Sequence, residues 1–477
     1  MSQLVTTSSE GLLLGEPFHA FWTAYDPLDL ASGSLDPLGF ARGYLALADR
    51  FLPSFTTVTD IPRYVSMLCA TLRKVQIHYG NNSRIVSSKD RQERLKLVKS
   101  FERAWALSCG LASKDPRFGK DATKGLRGIR YVNQRIETLN GRGKSIQTGS
   151  FNLLSNQVRY GGIGIYSTFL EECHLASMQS FTLRPLGEAL ADAFPLPLPD
   201  LPIHDEDANL SLETLKKWGE HSHVGAFSKK EGKILAEALR GGEEAEFLDH
   251  VRWATLRMLA KCDAKPGYDE GELLRRLAID LSSEKHNKLI VPPDCLSQIS
   301  ATLQILEPFE QFYQGLIFLF EQILGAASDE IETSLPDLAR QGPVKDAYTA
   351  ITKVATNLQQ GLKIAHEVNP KTAGEVESVL RESGILLLVD NILLQPADAA
   401  ESLRIVVRRH AMVQSSKFDN GSPKAAWTRL MENGKVRLTA QRHQLLRSQR
   451  PEDWKDVKRH SYRTKCAFSF IEACGIE

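Results

Sequence analysis

The sequence lacks the patterns that most often reveal a chemical activity. It contains no Cys-x-x-Cys pair, no His-Glu-x-x-His, no Gly-x-Ser-x-Gly and no dinucleotide-binding fingerprint. The loop Gly141-Arg142-Gly143-Lys144-Ser145 does not fit a Walker motif, because the position that needs glycine holds Thr138. These absences favour a chain that is not an enzyme and that binds neither a metal nor a cofactor.

Long apolar runs and a cysteine framework are also missing. No apolar run reaches the roughly 18 residues that a membrane span requires, and the N-terminus does not follow the pattern of a secretory signal. The seven cysteines are scattered and odd in number, which predicts reduced, mostly buried thiols rather than disulfides. We therefore expect a cytoplasmic protein without a membrane anchor.

The pattern that dominates the 477 residues is helical. Apolar side chains recur every three or four positions from Asp36 to Phe51, and a similar pattern extends from Pro293 to Gly325. Thr59-Asp60-Ile61-Pro62 is typical of a helix start, and Ser228-x-x-Glu231 matches a capping box. The sequence predicts a mainly α protein, a multi-helix assembly without a regular repeat.

A proline-rich stretch and its acidic continuation divide the chain. Pro195 to Pro199 and the acidic run at 204–207 are typical of a linker. We predict three domains: an N-terminal helical domain at 1–195 with a winged-helix-like segment at about 120–195, a central acidic helical domain at 196–395, and a basic C-terminal module at 396–477.

Strand patterns are few. Lys435 to Thr439 alternates polar and apolar residues, as a half-buried strand does, and it predicts a small α/β-hairpin region in the C-terminal module. Gly384 to Gln395 is the best further strand candidate, with a buried helix as the alternative.

The segment from Tyr160 to Phe194 is typical of the second half of a winged helix. It predicts a recognition helix at about Ile163 to His174, a wing at Ala176 to Phe181 and a trailing helix from Pro185. Two glutamates on the first helix and a wing without Lys or Arg disfavour DNA reading. A protein–protein module is the alternative.

Positive charge is concentrated in two segments. Residues 114–144 hold nine Lys/Arg against three Asp/Glu, and residues 404–465 hold sixteen against five. Such segments neutralise phosphates with release of counterions. The predicted nucleic-acid-binding residues are Lys120, Lys124, Arg127, Arg130, Arg135, Arg142, Lys144, Arg408, Arg409, Arg442, Arg447, Lys458, Arg459 and Arg463.

Each basic segment also has a second interpretation. Glycines among the N-terminal cations allow close approach to a polyanion, but the segment is equally a solvated loop. In the C-terminal segment Trp427, Trp454 and Tyr462 suit base stacking. Alternatively, these rings pack in a small core and the basic surface meets an acidic protein.

Several short motifs carry a family resemblance. They are Asp36-Pro37-Leu38-Gly39, Phe51-Leu52-Pro53, Thr59-x-x-Pro62-Arg63-Tyr64, the segment from Tyr160 to Phe194, and His460-Ser461-Tyr462-Arg463. Through them the chain resembles an uncharacterised group of helical proteins encoded in bacterial anti-phage defence loci. The resemblance implies a helical accessory or recognition subunit that works with an ATPase, helicase or nuclease of the same locus.

These observations together favour a non-enzymatic subunit of a bacterial anti-phage defence complex. It is expected to bind DNA, partner proteins or both through its basic surfaces. The alternatives are a pure protein–protein assembly scaffold and a divergent metal-dependent nuclease, for which Asp390, within an apolar run, is the candidate acid.

Overall fold

The structure is a computed structural model. It describes residues 36–80, 86–139, 144–196, 209–262, 269–282, 292–327, 332–394, 398–419, 422–438 and 453–477. Within these ranges the chain is mainly α, as predicted.

The described residues form eighteen α-helices. In chain order they are α1 (Ala41–Phe51), α2 (Pro62–Tyr79), α3 (Ser88–Ala112), α4 (Ile129–Leu139), α5 (Gln157–Tyr160), α6 (Gly162–Glu172), α7 (Pro185–Ala193), α8 (Leu212–Ser222), α9 (Lys229–Arg240), α10 (Phe247–Lys261), α11 (Glu270–Ser282), α12 (Pro293–Ala326), α13 (Leu335–Arg340), α14 (Gly342–Val368), α15 (Pro370–Glu382), α16 (Ile385–Leu394), α17 (Ala399–Ser415) and α18 (Thr464–Cys474).

The described residues also contain short antiparallel strands, most of them paired in local hairpins. They are β1 (Ser145–Gln147), β2 (Ala176–Ser177), β3 (Thr182–Leu183), β4 (Asn209–Ser211), β5 (Thr333–Ser334), β6 (Phe418–Asp419), β7 (Ser422–Pro423), β8 (Thr428–Leu430) and β9 (Lys435–Leu438). The pairings are β1 with β4, β2 with β3, β6 with β7, and a three-stranded sheet in the order β5-β9-β8. The predicted strand from Lys435 is confirmed as β9.

Local sequence signals explain where several helices begin. Pro62 occupies the first turn of α2, where its missing N–H costs no hydrogen bond. The capping box before α9 is confirmed: Ser228 Oγ accepts the Glu231 N–H at 3.2 Å, and the Glu231 carboxylate accepts the Ser228 N–H at 2.9 Å. These caps satisfy amide groups that a helix end otherwise leaves unpaired.

The hydrophobic core is continuous across both predicted domain boundaries. One cluster of buried side chains extends from Leu38 to Ile476. Strand β1, before the predicted linker, pairs with β4 after it, and the linker itself lies mostly outside the described residues. The division into three domains stays a prediction, but in the folded chain the three segments share one core.

The strand predicted at Gly384 to Gln395 is wrong, because these residues form α16 up to Leu394. Ile385, Leu388, Val389 and Ile392 are buried at helical spacing, and helix α16 begins after Gly384, whose φ is +75°. A short, almost wholly apolar run does not distinguish a buried strand from a buried helix by periodicity. Gln395 lies outside the described residues.

The segment from Tyr160 to Phe194 has the predicted order of helix, hairpin and helix, in α6, β2–β3 and α7. However, every residue of α6 is buried or half-buried. The Tyr166 hydroxyl donates to Ile61 O at 3.1 Å, and the Phe169 ring packs 5.1 Å from that of Phe470. Helix α6 is therefore a core helix, with no exposed face to enter a DNA groove, and a winged helix is not confirmed.

Residues of the short family-like motifs hold distant parts of the chain together. Asp36 accepts the N–H groups of Phe40 and Ala41 at 2.8 Å each and so caps α1. The Arg463 guanidinium donates to Leu52 O, just after α1, at 3.0 Å, and it pairs with Asp49 of α1. These contacts explain the motifs as structural elements.

A buried polar cluster attaches the C-terminal segment to the middle of α12. The Glu310 carboxylate, fully buried, accepts the His460 N–H and faces His460 Nδ1, both at 2.9 Å, and it accepts the Tyr462 hydroxyl at 2.8 Å. Burial alone would raise the pKa of Glu310, but His460 and Arg459 hold it below its ordinary value. The ionised carboxylate therefore stabilises the fold.

Changing Glu310→Gln should destabilise the protein in a pH-dependent manner. At pH 7 we expect a loss of about 1–3 kcal/mol in the free energy of unfolding, because the amide replaces a charged acceptor of three hydrogen bonds. A carboxyl group with a lowered folded pKa stabilises above its unfolded pKa of about 4.3, and this contribution is lost as the pH falls through the folded value. Urea unfolding at pH 7 and pH 3.5 should show the gap to wild type shrinking at low pH. A gap that is constant or grows would contradict this role.

Candidate nucleic-acid interface

The N-terminal basic segment presents four of its predicted cations to solvent. Lys120, Lys124, Arg130 and Lys144 are exposed. By contrast, Arg127 is half-buried and its Nε donates to Tyr160 O at 2.7 Å. Arg135 Nη2 donates to Ser150 Oγ at 2.9 Å, and Arg142 lies outside the described residues.

Two glycines of this segment, Gly125 and Gly128, serve the fold. Gly125 and Gly128 have φ values of +76° and +73°, which favour glycine. A Cβ atom at Gly128 would overlap the carbonyl oxygen of Leu153. These two glycines thus allow other parts of the same chain to pack closely against the backbone.

Three of the predicted C-terminal arginines are occupied by internal contacts. Arg409 donates to Leu38 O at 2.9 Å and to Ser383 O at 2.6 Å, and burial lowers its pKa. Arg459 pairs with Glu307, and Arg463 is 2% exposed. Because their guanidiniums are committed to the fold, they are poor phosphate ligands. Lys458 and Arg408 are exposed, whereas Arg442 and Arg447 lie outside the described residues.

Arg408 lies in an open groove between α17 and the β8–β9 hairpin. The groove has a volume of about 920 Å³ and is lined by Arg404 and Arg408 from the helix and by residues 428–434 of the hairpin. Arg404 pairs with Glu401 at 2.7 Å. Within the described part of the chain, no ion pair involves Arg408 or Arg429. We call this feature the arginine groove.

The hairpin adds a second row of positive charge. Arg429 and Arg437 lie directly opposite each other in the β8–β9 register, both exposed, while Thr428 and Val436 alternate inward. Both guanidinium groups therefore belong to the outer face of the hairpin.

One buried hydroxyl group in the groove lining lacks a hydrogen-bond partner. Thr428 is 1% exposed, and its Oγ1 has no hydrogen-bond partner among the described residues. An unsatisfied buried polar group costs about 1–3 kcal/mol. Because this oxygen is itself buried, it is not presented to a ligand in the groove.

The aromatic rings of the C-terminal segment do not form a stacking surface on this groove. Trp427 is 9% exposed and packs against His410 and Phe320, and Tyr462 is fully buried. Trp454 is half-buried and lines a different cavity. The arginine groove therefore presents guanidinium groups and no aromatic ring among its described lining residues.

The acids and thiols of the described residues do not assemble into a reactive cluster. Asp390 lies half-buried on α16 and accepts from Gln359 Nε2 at 3.4 Å. No group of three or more His, Cys, Asp or Glu within the described ranges is placed to hold a metal ion. The seven cysteines are free thiols, five of them buried, as expected; burial raises the pKa of Cys109 and Cys173 to about 12.

None of the described helices combines the length and the apolar character that crossing a membrane demands.

Sequence reasoning named Arg408 but missed Arg429, its counterpart across the groove. The available signal was the alternation of Thr428, Arg429 and Leu430, which pairs with the alternation of β9. Once both strands are assigned to a hairpin, Arg429 and Arg437 fall on the same outward face. The contribution of α17 to the groove depends on tertiary packing and has no local signal.

Comparison of the chain with protein-family models, with curated proteins and with solved structures finds no match.

Proposed function

We propose that this chain is a non-enzymatic subunit that binds nucleic acid through its phosphate backbone, with the arginine groove as the principal contact. The observation that supports this most is that Arg408 of α17 and Arg429 of the hairpin line one groove, both exposed and outside any ion pair among the described residues. Guanidinium groups suit phosphate oxygens because they donate two parallel hydrogen bonds.

The chemistry of the groove supports duplex binding without sequence preference. Phosphate contacts fix a protein on nucleic acid but carry no sequence information, which comes from base edges and shape. Lys120, Lys124 and Arg130 are also exposed, and their positive charge supports the same ligand. In the setting implied by the family resemblance, the chain would place DNA before a partner ATPase, helicase or nuclease of an anti-phage defence complex.

The purified chain should bind a fluorescein-labelled 20-base-pair DNA of arbitrary sequence in fluorescence anisotropy. With about three phosphates neutralised, the logarithm of the association constant should fall with the logarithm of salt concentration at a slope of about −3. A duplex of unrelated sequence should bind equally well. Absence of binding at 50 mM salt would refute the proposal.

A second candidate function is protein–protein assembly, favoured by a different surface. Leu387 and Leu394 are 63% and 78% exposed on α16, seven residues apart and hence on one face of the helix. Exposed apolar surface of this kind can mark a protein interface. A pull-down after nuclease treatment tests this function. If locus partners still co-purify with the wild-type chain but not with Leu387→Ser/Leu394→Ser, assembly is independent of DNA. Partners lost on nuclease treatment would exclude this second function.

A further inference from the structure

A second cavity, separate from the arginine groove, lies where α11, α12 and α14 meet the segment around Trp454. Its volume is about 560 Å³, within the usual range for small-molecule pockets. Its lining includes one aromatic ring, Trp454, and three side-chain amides, Gln311, Gln314 and Asn357. Four cationic and two carboxylate side chains complete the charged part of the lining.

Among the described residues, two of the four cations of the cavity are in ion pairs, whereas Lys353 and Lys455 are not. Both carboxylate oxygens of Glu307 face the Arg459 guanidinium, and one of them also accepts Gln311 Nε2 at 3.0 Å. Asp269 accepts the backbone N–H of Glu272 at 2.7 Å. Lys353 and Lys455 are exposed at the cavity, so an anionic group would find positive charge there.

Hydrogen bonds tie the lining of the cavity to the C-terminal segment. Gln314 donates to Val457 O at 2.6 Å, and Glu310, on the same helix, holds His460 and Tyr462. A preorganised pocket loses less entropy when a ligand binds.

We propose that this cavity binds a nucleotide, with phosphate oxygens near Lys353 and Lys455 and the ring against Trp454. An aromatic ring and exposed cations correspond to the base and the phosphates of such a ligand. This site is independent of the proposed DNA-binding function, since none of its lining residues belongs to the arginine groove.

Isothermal titration calorimetry with ADP, GDP, CDP and UDP tests the site, with adenosine and inorganic pyrophosphate as the separate parts. At least one nucleoside diphosphate should bind more tightly than adenosine alone and more tightly than pyrophosphate alone. Trp454→Ala and Lys353→Glu should each weaken this binding by about tenfold. Trp454→Phe, which keeps a ring, should retain most of it and guards against a loss caused by misfolding.

The matched control is Lys371→Glu, an equal charge change at an exposed position outside the cavity, which should leave nucleotide binding unchanged. Arg408→Glu/Arg429→Glu should also leave it unchanged, and Lys353→Glu should leave DNA binding intact, so failure of one function is distinguishable from failure of the other. The proposal is overturned if no diphosphate binds at 5 mM, if pyrophosphate binds as tightly as every diphosphate, or if both cavity variants bind like wild type.

Discussion

Replacing Glu231 with alanine should lower the free energy of unfolding by about 3–5 kcal/mol, because it leaves the charge of Arg63 buried and unpaired and also removes the capping box of α9. Both side chains of this ion pair are only 1% exposed. Arg63 also donates to His221 O at 2.9 Å, so its guanidinium is fixed at the junction of α2, α8 and α9. Burial lowers the pKa of Arg63, and Glu231 opposes that effect.

The control for this prediction is Glu237→Ala on the same helix. Glu237 is exposed and its nearest cation, Arg240, is 3.8 Å away, so we expect a change within about 0.5 kcal/mol. The double variant Arg63→Met/Glu231→Met should lose less than Glu231→Ala, since it leaves no unpaired charge. Equal losses for Glu231→Ala and Glu237→Ala in urea unfolding would show that the buried pair does not stabilise the fold.

The second large effect is expected in the arginine groove. Arg408→Glu/Arg429→Glu should weaken duplex DNA binding by about 100-fold or more at 50 mM salt, because two phosphate contacts become repulsive. Both side chains are exposed, so the variant should unfold at the same urea concentration as wild type. Fluorescence anisotropy with the labelled duplex measures the change.

A matched variant tests whether the loss of affinity depends on the groove or only on the net charge of the protein. Lys230→Glu/Lys233→Glu makes the same change in total charge at two exposed positions of α9, outside the groove. Its affinity for DNA should stay within about threefold of wild type, because charges distant from the contact are screened by salt. If both double variants lose affinity equally, the groove is not the binding surface.

Much of the helical architecture could be predicted because its signals are local. Pro62, the capping box at Ser228 and the apolar spacing of α12 each depend on residues within one or two turns. The apolar run of α16 was misassigned since it has no polar face to reveal its period. The pairing of β1 with β4 joins residues more than 60 positions apart, and no local pattern indicates it.

The candidate site was predicted only in part, for a related reason. Charge density along the sequence indicates where cations are frequent, but not which of them face solvent. Arg408, Arg409 and Arg463 all lie in basic stretches of the sequence. In the fold, however, Arg409 and Arg463 donate to backbone carbonyl oxygens. Arg429 belongs to the site because a hairpin places it across from α17. Tertiary contacts thus determine which cations remain exposed to a ligand.

The salt dependence of DNA binding in a neutralised variant tests the central proposal most directly. For wild type, the logarithm of the association constant plotted against the logarithm of salt concentration should have a slope of about −3. Arg408→Ala/Arg429→Ala, which removes two cations without adding repulsion, should make the slope about two units shallower. An unchanged slope would contradict the assignment of the phosphate contacts to the arginine groove.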